Sequence, residues 1–362
     1  MIFIGRMALR REKVHQRAMA RRNIAIVTGG DTLEAASSAA SARNVHEHLD
    51  PARFNRFLIS VENWKWRLVQ ADGMDAAQLA DARIDLADFT LAVGTDRIRF
   101  DAAFIAIHGA PAETGHLQAY FELVGLPYTG SGILASALAM DKQSCKHFLA
   151  HALGIPTPVH RYVTDGEEAF DPAAPGIAFP CIVKPNSYGS GMGVALVADR
   201  QALERAMKRI HALGQDILIE QFICGREFTV GALMLDGKIE ILPIAEVFRP
   251  DHSAALHNAG EVVFTDRQSA ELGLDPDLPD GCKERLCDLT ARVGRAMNCR
   301  SFYRVDYMLD RDGGVYFLEL NTIPGMTPRS VFTRQMERAG IGQADIYNRI
   351  VQDMLARSVA GG

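Results

Sequence analysis

Two segments, far apart in the chain, carry residues whose types and spacing could do chemistry together. Cys181–Val194 reads CIVKPNSYGSGMGV. It sets Lys184 at the end of an apolar run, then places glycines at 189, 191 and 193 around Ser190 and Met192. Tyr303–Met326 reads YRVDYMLDRDGGVYFLELNTIPGM. It carries Asp306, Glu319 and Asn321 on two short strands joined by the turn Asp310–Gly314. Glycines let backbone N–H groups approach an anion without obstruction by Cβ, so a lysine beside such a loop can cradle phosphate. Two carboxylates and an amide oxygen are hard donors that suit Mg2+, which keeps phosphate oxygens among its ligands. Together the two segments imply Mg–ATP chemistry, with two ions clamping the β- and γ-phosphates.

Strand alternation sharpens the second segment. Side chains two apart share a face, so Arg304 points with Asp306, and Glu319 with Asn321. If the register allows, the two pairs face each other. The other face offers Tyr303, Val305 and Tyr307 against Tyr316, Leu318 and Leu320, and can pack on a core. The glycine loop is less specific. It is not a Walker loop, and a strand rather than a helix follows it, which argues against a dinucleotide fingerprint. Alone it is also the pattern of a plain hairpin turn. Glu220-Gln221-Phe222-Ile223 ends a strand, with Glu227 beyond. An adenine needs backbone donors and acceptors with an apolar slot, and a ribose needs a carboxylate; both are available there. Lys142 and Lys146 lie one helical turn apart and read as ordinary solvent-facing helix positions.

The elements that must position these groups form an α/β pattern, α+β in part. Asn23–Thr28, Phe57–Glu62 and Phe104–His108 read as strands and Ala35–Leu49 as a helix, which predicts a mostly parallel N-terminal sheet. Ligands gather at the carboxyl ends of such strands, where Gly29-Gly30 and His108-Gly109 sit. Ile133–Leu153 reads as one long helical stretch. Cys181–Lys184 and Val194–Val197 read as a hairpin, Arg200–Leu213 as a helix, and Ile217–Gln221 and Glu227–Leu235 as strands. Phe248–Ser269 is a long irregular stretch, the kind that is usually functional or disordered. Asp280–Met297 and Ile346–Arg357 read as helices. The division predicted is a basic extension over 1–22, an N-terminal α/β domain over 23–130, a central subdomain over 131–219 and a C-terminal domain over 220–357.

The bulk numbers exclude several classes. A net charge of −5 over 362 residues implies no general affinity for nucleic acid or an anionic membrane. No apolar run approaches the length of a bilayer span. The six cysteines (145, 181, 224, 282, 287 and 299) lack metal-ligand spacing. They read as buried small hydrophobes in a reducing, cytoplasmic compartment. The first 22 residues carry seven Arg or Lys and one Glu, and read as an upstream start or a disordered arm.

The string GLPYTGSGILASALAMDKQSCKHFLAHALGIPTP, the loop IVKPNSYGSGMGV, IEQFICGREFTV and RVDYMLDRDGGVYFLELNTIPGMTPRS together resemble the D-alanine–D-alanine ligase family of the ATP-grasp superfamily. The likeness runs from Ile24 to about Leu355 and implies a three-domain ATP-grasp architecture. It implies ATP-dependent ligation of two D-alanine molecules through an acyl phosphate, for peptidoglycan synthesis, with ATP and Mg2+ (two ions, Mn2+ an alternative) and a homodimer. By the same resemblance Lys142 and Lys184 contact ATP phosphates, and Glu220, Gln221, Ile223 and Glu227 hold adenine and ribose. Asp306, Glu319 and Asn321 ligate magnesium. Arg304 and the Gly325 amide hold the tetrahedral intermediate. Glu34 receives the ammonium of the first D-alanine, His108 lies beside that substrate, and Ser190 stands at the nucleophile. Ser330 and the backbone at Val331 bind the second substrate's carboxylate.

Several positions depart from the family pattern. Gln221 stands where a lysine is usual. The histidine stretch reads His108-Gly-Ala-Pro-Ala-Glu113-Thr114-Gly115, without the usual aspartate. The stretch Phe248–Ser269, where the family has a lid bearing a lysine and a tyrosine, has neither; it offers Arg249, His252, His257 and Asn258. A cationic histidine there would repel an incoming ammonium and favour a hydroxy acid at lower pH. This keeps a ligase with another acceptor, such as D-lactate or D-serine, as the alternative, and a non-catalytic nucleotide binder as a third.

Overall fold

The computed structural model describes residues 21–164, 177–189, 191–248, 260–264 and 271–360. Ile24, Ala25, Ile26 and Val27 are buried without alternation, as a strand must be when both of its faces are covered. Their strand, Arg22–Gly29, runs parallel to Phe54–Glu62 on one side and Ala102–Ile105 on the other. Lys65–Ala71 adds an antiparallel edge. A small antiparallel sheet of Arg83–Asp85, Thr90–Val93 and Asp96–Arg99 stands apart from it. The parallel sheet expected from the sequence is present, but these hairpin strands are too polar and short to have signalled themselves. Arg22, expected in the extension, already pairs with Phe54 and Asp101; residues 1–20 lie outside the described ones.

A second sheet of five strands is antiparallel throughout, in the order Glu261–Val263, Ala195–Val197, Cys181–Pro185, Ile217–Gln221, His160–Val163. One of its faces buries Cys181, Val183, Ile217 and Ile219 against helix Arg200–His211. That helix is capped by the Asp199 carboxylate, which accepts from the Ala202 N–H. It presents Ala202, Leu203, Ala206, Met207 and Ile210 as a single apolar stripe. The other face carries Lys184 and Glu220. Glu261–Val263, inside the stretch expected to be irregular, is the edge strand of this sheet. The four lid residues Arg249, His252, His257 and Asn258 lie outside the described residues.

A third sheet is built on Gly225–Leu235, Ser301–Asp310 and Val315–Asn321, flanked by Ala245–Phe248, Glu271–Leu274 and Lys238–Ile241. It packs on helix Cys282–Ala296 and on the helical region after Ile133. That region is two helices, Ile133–Met140 and Lys142–Leu153, rather than one. Asp141 breaks it by taking an extended conformation and capping the second helix through the Ser144 N–H. Helix Gln343–Ala360 returns to the N-terminal sheet, where Ile346, Tyr347, Ile350 and Val351 share a core with Ile24–Val27. Of the cysteines, 145, 181, 282 and 299 are buried as expected, but Cys287 is half-buried and Cys224 exposed. Among the described residues no helix is long and apolar enough to cross a membrane.

Candidate active site

The acidic hairpin pairs Asp306 with Glu319 and Arg304 with Asn321, so the four polar side chains face one another as the alternation predicts. Arg304 donates from Nε and Nη2 to the two oxygens of Asp306 at 3.1 and 3.2 Å, and Asn321 Nδ2 donates to the same carboxylate at 3.1 Å. The apolar face differs from the expectation. A bulge after Asp306 shifts the register, so that Val315, Phe317 and Leu320 are buried while Tyr316 and Leu318 are only half-buried. One extra residue on the second strand swings the alternation over. On the neighbouring strand Glu227 and Thr229 sit opposite Met308 and Asp306, which puts Glu227 on the same face as Asp306.

Lys142 and Lys184 arrive from a helix and a strand that are tied together. Asn186, buried just after Lys184-Pro185, accepts from the Gln143 N–H through its side chain and from the Lys142 N–H through its carbonyl, and donates to Asp141. The break at Asp141 thus fixes the start of one lysine's helix against the strand of the other. Lys142 is buried, contrary to the solvent-facing expectation. Its Nζ donates to the Tyr188 carbonyl at 2.6 Å and lies 3.9 Å from Glu319. Burial lowers its pKa, and Glu319 works against that. Lys184 Nζ is 2.8 Å from Glu220, which also lies 3.1 Å from Lys146. Burial alone would raise the pKa of Glu220; Lys146 and Lys184 outweigh it and hold the carboxyl well below its usual range. Gln221 is exposed and Ile223 half-buried at the end of that strand, while Glu227 is buried.

A cavity of about 410 Å³ lies between the N-terminal sheet, the glycine loop and the acidic hairpin. Glu34 and His108 line it from one side, Arg304, Asp306 and Asn321 from another, and Gly325, Ser330 and Val331 close it. The backbone approaches Glu34 closely: a Cβ at Gly109 or at Gly189 would lie 2.9 Å from its Oε2. Gly325 is similarly tight, since a Cβ there would sit 2.7 Å from Ser330 Oγ. Ser330 precedes helix Val331–Arg338, so the free N–H groups of the first turn lie at the cavity wall. Ser190 lies outside the described residues. Lys142, Lys184, Glu220, Gln221, Ile223, Glu227 and Glu319 do not line this cavity; they belong to the neighbouring lysine and glutamate cluster and its strand ends.

Three groups that the sequence reading passed over belong here. His108 Nδ1 is 3.0 Å from the Ile323 carbonyl, which accepts its proton, leaving Nε2 to accept from Ser41 Oγ at 2.9 Å. Ser41 Oγ in turn accepts from the Met326 N–H at 3.2 Å. Burial pulls the pKa of His108 down to about 4, so the ring is neutral. Ser41 therefore ties the histidine to the Ile323–Met326 turn. Glu113 lines the same cavity and accepts from the Gly109 N–H at 2.7 Å. Burial, and next the charge of Glu34, push its pKa up to about 8. Lys146 is the third. The signal for Glu113 was its place in the His108–Gly115 stretch; nothing local marked Ser41 or Lys146.

The donor set suits a magnesium ion. Among the described residues no cluster of three or more His, Cys, Asp or Glu side chains could hold a metal by itself. Two carboxylates with one amide leave most positions to phosphate oxygens and water, as Mg2+ prefers. In this structure the Arg304 guanidinium and the Asn321 amide supply the positive partners of Asp306.

Family models of the D-Ala D-Ala ligase N-terminus and C-terminus match residues 23–131 and 149–352. The D-alanine–D-alanine ligase of Bacteroides fragilis is 31% identical over 338 residues, covering 92% of this chain and 99% of its own. The crystal structure of D-alanyl-alanine synthetase A from Vibrio cholerae superposes with a TM-score of 0.80 at 27% identity, covering 93% of this chain and 99% of that one. The Bacillus anthracis D-alanine–D-alanine ligase complexed with ATP gives 0.71 at 26% identity, over 94% of this chain and all of that one.

Proposed function

This chain belongs to the D-alanine–D-alanine ligase family, and on that premise we propose that it joins two D-alanine molecules with ATP, through a D-alanyl phosphate. The observation that carries this reading is the cavity in which Glu34 and His108 face Arg304, Gly325 and Ser330, with two buried lysines beside it. The ammonium of the first D-alanine binds Glu34, which aims its carboxylate at the γ-phosphate. Lys142 and Lys184 neutralise the phosphate oxygens. The strand end at Glu220, Gln221 and Ile223 holds the adenine, and Glu227 the ribose. Asp306, Glu319 and Asn321 would hold magnesium, which supplies charge neutralisation to the β- and γ-phosphates when bound.

Transfer of the γ-phosphoryl group to the carboxylate gives the acyl phosphate and ADP. The second D-alanine docks its carboxylate on Ser330 and the N–H groups at Val331. Its free amine attacks the acyl carbon, and the oxyanion is held by Arg304 and the Gly325 N–H. The C–O bond to phosphate breaks, the amine nitrogen loses its extra proton, and the dipeptide and phosphate leave. Ser190 stands at the nucleophile. Acyl phosphates hydrolyse, so the site must be closed to water during the reaction. We place the reaction in the cytoplasm, feeding peptidoglycan precursor synthesis, in a homodimer of three-domain subunits.

The test is phosphate release from Mg–ATP with D-alanine, with L-alanine, and with D-alanine plus D-lactate or D-serine, reading product masses. Dipeptide from D-alanine alone is expected. Turnover only with a mixed pair would move the acceptor assignment to D-lactate or D-serine. ATP binding without turnover on any of these would overturn the proposal.

A further inference from the structure

Lys146 has no role in the chemistry described above, yet it is one of the largest fully buried side chains in the molecule, with 0% exposure. Its ammonium lies 3.1 Å from Glu220 Oε1, while the Lys184 ammonium lies 2.8 Å from the other oxygen, Oε2. Lys146 Nζ also donates to the Phe317 carbonyl at 3.0 Å and stands 5.5 Å from the centre of the Phe317 ring. Phe317 is two residues before Glu319 on the same strand. One ammonium thus joins the five-stranded sheet, through Glu220, to the strand that carries Glu319 and Asn321.

Two lysines on one carboxylate leave the cluster with a net positive charge, which is more than Glu220 needs. We propose that Lys146 is the standing counter-ion of Glu220, a positioning residue that lets the Lys184 ammonium leave the carboxylate for the phosphates of ATP. Glu220 is 2% exposed. Stripped of both lysines it would be an uncompensated buried charge, and breaking a buried pair in that way is strongly destabilising. With Lys146 in place, Lys184 can change partner while Glu220 keeps one cation. Without Lys146, Lys184 is held on Glu220 and phosphate must compete with it. The proposal rests on the reading of Lys184 as a phosphate contact.

The experiment compares adenosine with Mg–ATP by titration calorimetry, because adenosine has the base and ribose but no phosphate. The ratio of the two dissociation constants isolates the phosphate contribution from any disturbance of the adenine slot. Lys146→Met is expected to shrink that ratio by about tenfold or more, as a stranded buried charge would require, with adenosine affinity nearly unchanged. Lys146→Met combined with Glu220→Gln, which removes the charge that traps Lys184, is expected to restore most of it. Equal weakening of adenosine and ATP in Lys146→Met, with the ratio kept, would overturn the proposal and make Lys146 a packing residue. If the single variant does not fold, the double variant decides: a folded double variant that keeps the wild-type ratio supports the counter-ion role, and one with a shrunken ratio sinks it. Lys184→Met serves as the control on the underlying reading. A ratio unchanged in Lys184→Met removes Lys184 from the phosphates and this proposal with it, whereas a ratio lost there and kept in Lys146→Met rejects this proposal alone.

Discussion

The two halves of the site bury ionisable groups by opposite means. On the five-stranded sheet, Glu220 is held ionised by the Lys146 and Lys184 ammonium groups in contact with its two oxygens. Against the N-terminal sheet, His108 and Glu113 are held neutral: burial lowers the histidine to about 4 and raises the carboxyl to about 8. Desolvation penalises every buried charge, and a group either finds a partner or gives up its charge. Under the proposed function, the choice fits what each half would receive. A polyphosphate needs cations ready at neutral pH. A zwitterion of one residue needs a single anion for its ammonium, and a second full negative charge beside Glu34 would pull it off the reactive line. Pairing holds the Glu220 carboxyl well below its usual range, while burial still lowers Lys146 to about 8, so pH acts on the phosphate half at the upper end of the neutral range and on the amino-acid half through Glu113.

Arg304 stands between the halves, and its loss breaks both. It grips Asp306, which is 1% exposed, and faces the cavity. Arg304→Ala is expected to lower kcat by roughly a hundred- to a thousandfold, the usual cost of one oxyanion donor. Arg304→Lys should recover little, because an ammonium cannot reproduce the two-pronged contact on Asp306. Steady-state phosphate release measures both. Near-normal turnover in Arg304→Lys would mean that charge alone is required there.

Glu34→Gln tests the amino-acid half alone. It leaves the cavity with the neutral Glu113 and with Asp306, which Arg304 already grips, to meet an ammonium. A hydrogen bond to a charged group contributes about 1.5–3 kcal/mol, so the KM for the first D-alanine should rise about ten- to a hundredfold. The affinity for ATP should hardly move, since Glu34 belongs to the other half. A joint loss of both affinities would deny that the halves are separable.

A smaller effect is expected from the link behind His108. Ser41→Ala removes the donor to Nε2 and the acceptor of the Met326 N–H, leaving two buried groups unsatisfied. The cost is about 1–3 kcal/mol for each such group. It should appear as a lowered Tm, together with a lower kcat if the Ile323–Met326 turn loosens around Gly325. Lowered Tm with unchanged kcat would show that the turn holds its shape without the serine.

These groups also mark where the sequence could be read and where it could not. The facing of Asp306 and Glu319 follows from a period of two and a short turn, and both are local. The bulge beside them, which buries Phe317 and leaves Leu318 half-buried, depends on how the hairpin settles on its neighbours. Lys142 and Lys146 look alike on a helical wheel. Their burial is decided by Tyr188, Glu220 and Phe317, which arrive from other parts of the chain. The single helix expected over Ile133–Leu153 is two because Asp141 caps the second one and binds Asn186, a partner invisible from within the helix. Ser41 is read as one more small residue in an Ala/Ser-rich helix, and only its contact with Met326, 285 residues away, gives it a place in the site. Lys65–Ala71 escaped because an edge strand buries so little, here only Leu68 and Ala71, that no alternation is visible.

The smallest and most diagnostic change is Glu113→Gln. The amide keeps an oxygen for the Gly109 N–H and cannot ionise, so it imitates the neutral carboxyl. Near pH 6 the variant should bind D-alanine as the wild type does, because Glu113 already carries its proton there. The folded protein holds that proton up to about pH 8, whereas an exposed carboxyl in the unfolded chain loses it near 4.5. Between those values the folded state binds more protons than the unfolded one, so stability falls as pH rises through the window and levels off above it. Glu113→Gln removes this slope. The Tm difference, variant minus wild type, should therefore be near zero at the acid end of the window, grow in favour of the variant across it, and stay constant above about pH 8. A flat difference would mean that Glu113 is charged at neutral pH. The amino-acid half would then hold two anions side by side, and its contrast with the paired charges of the phosphate half would fail.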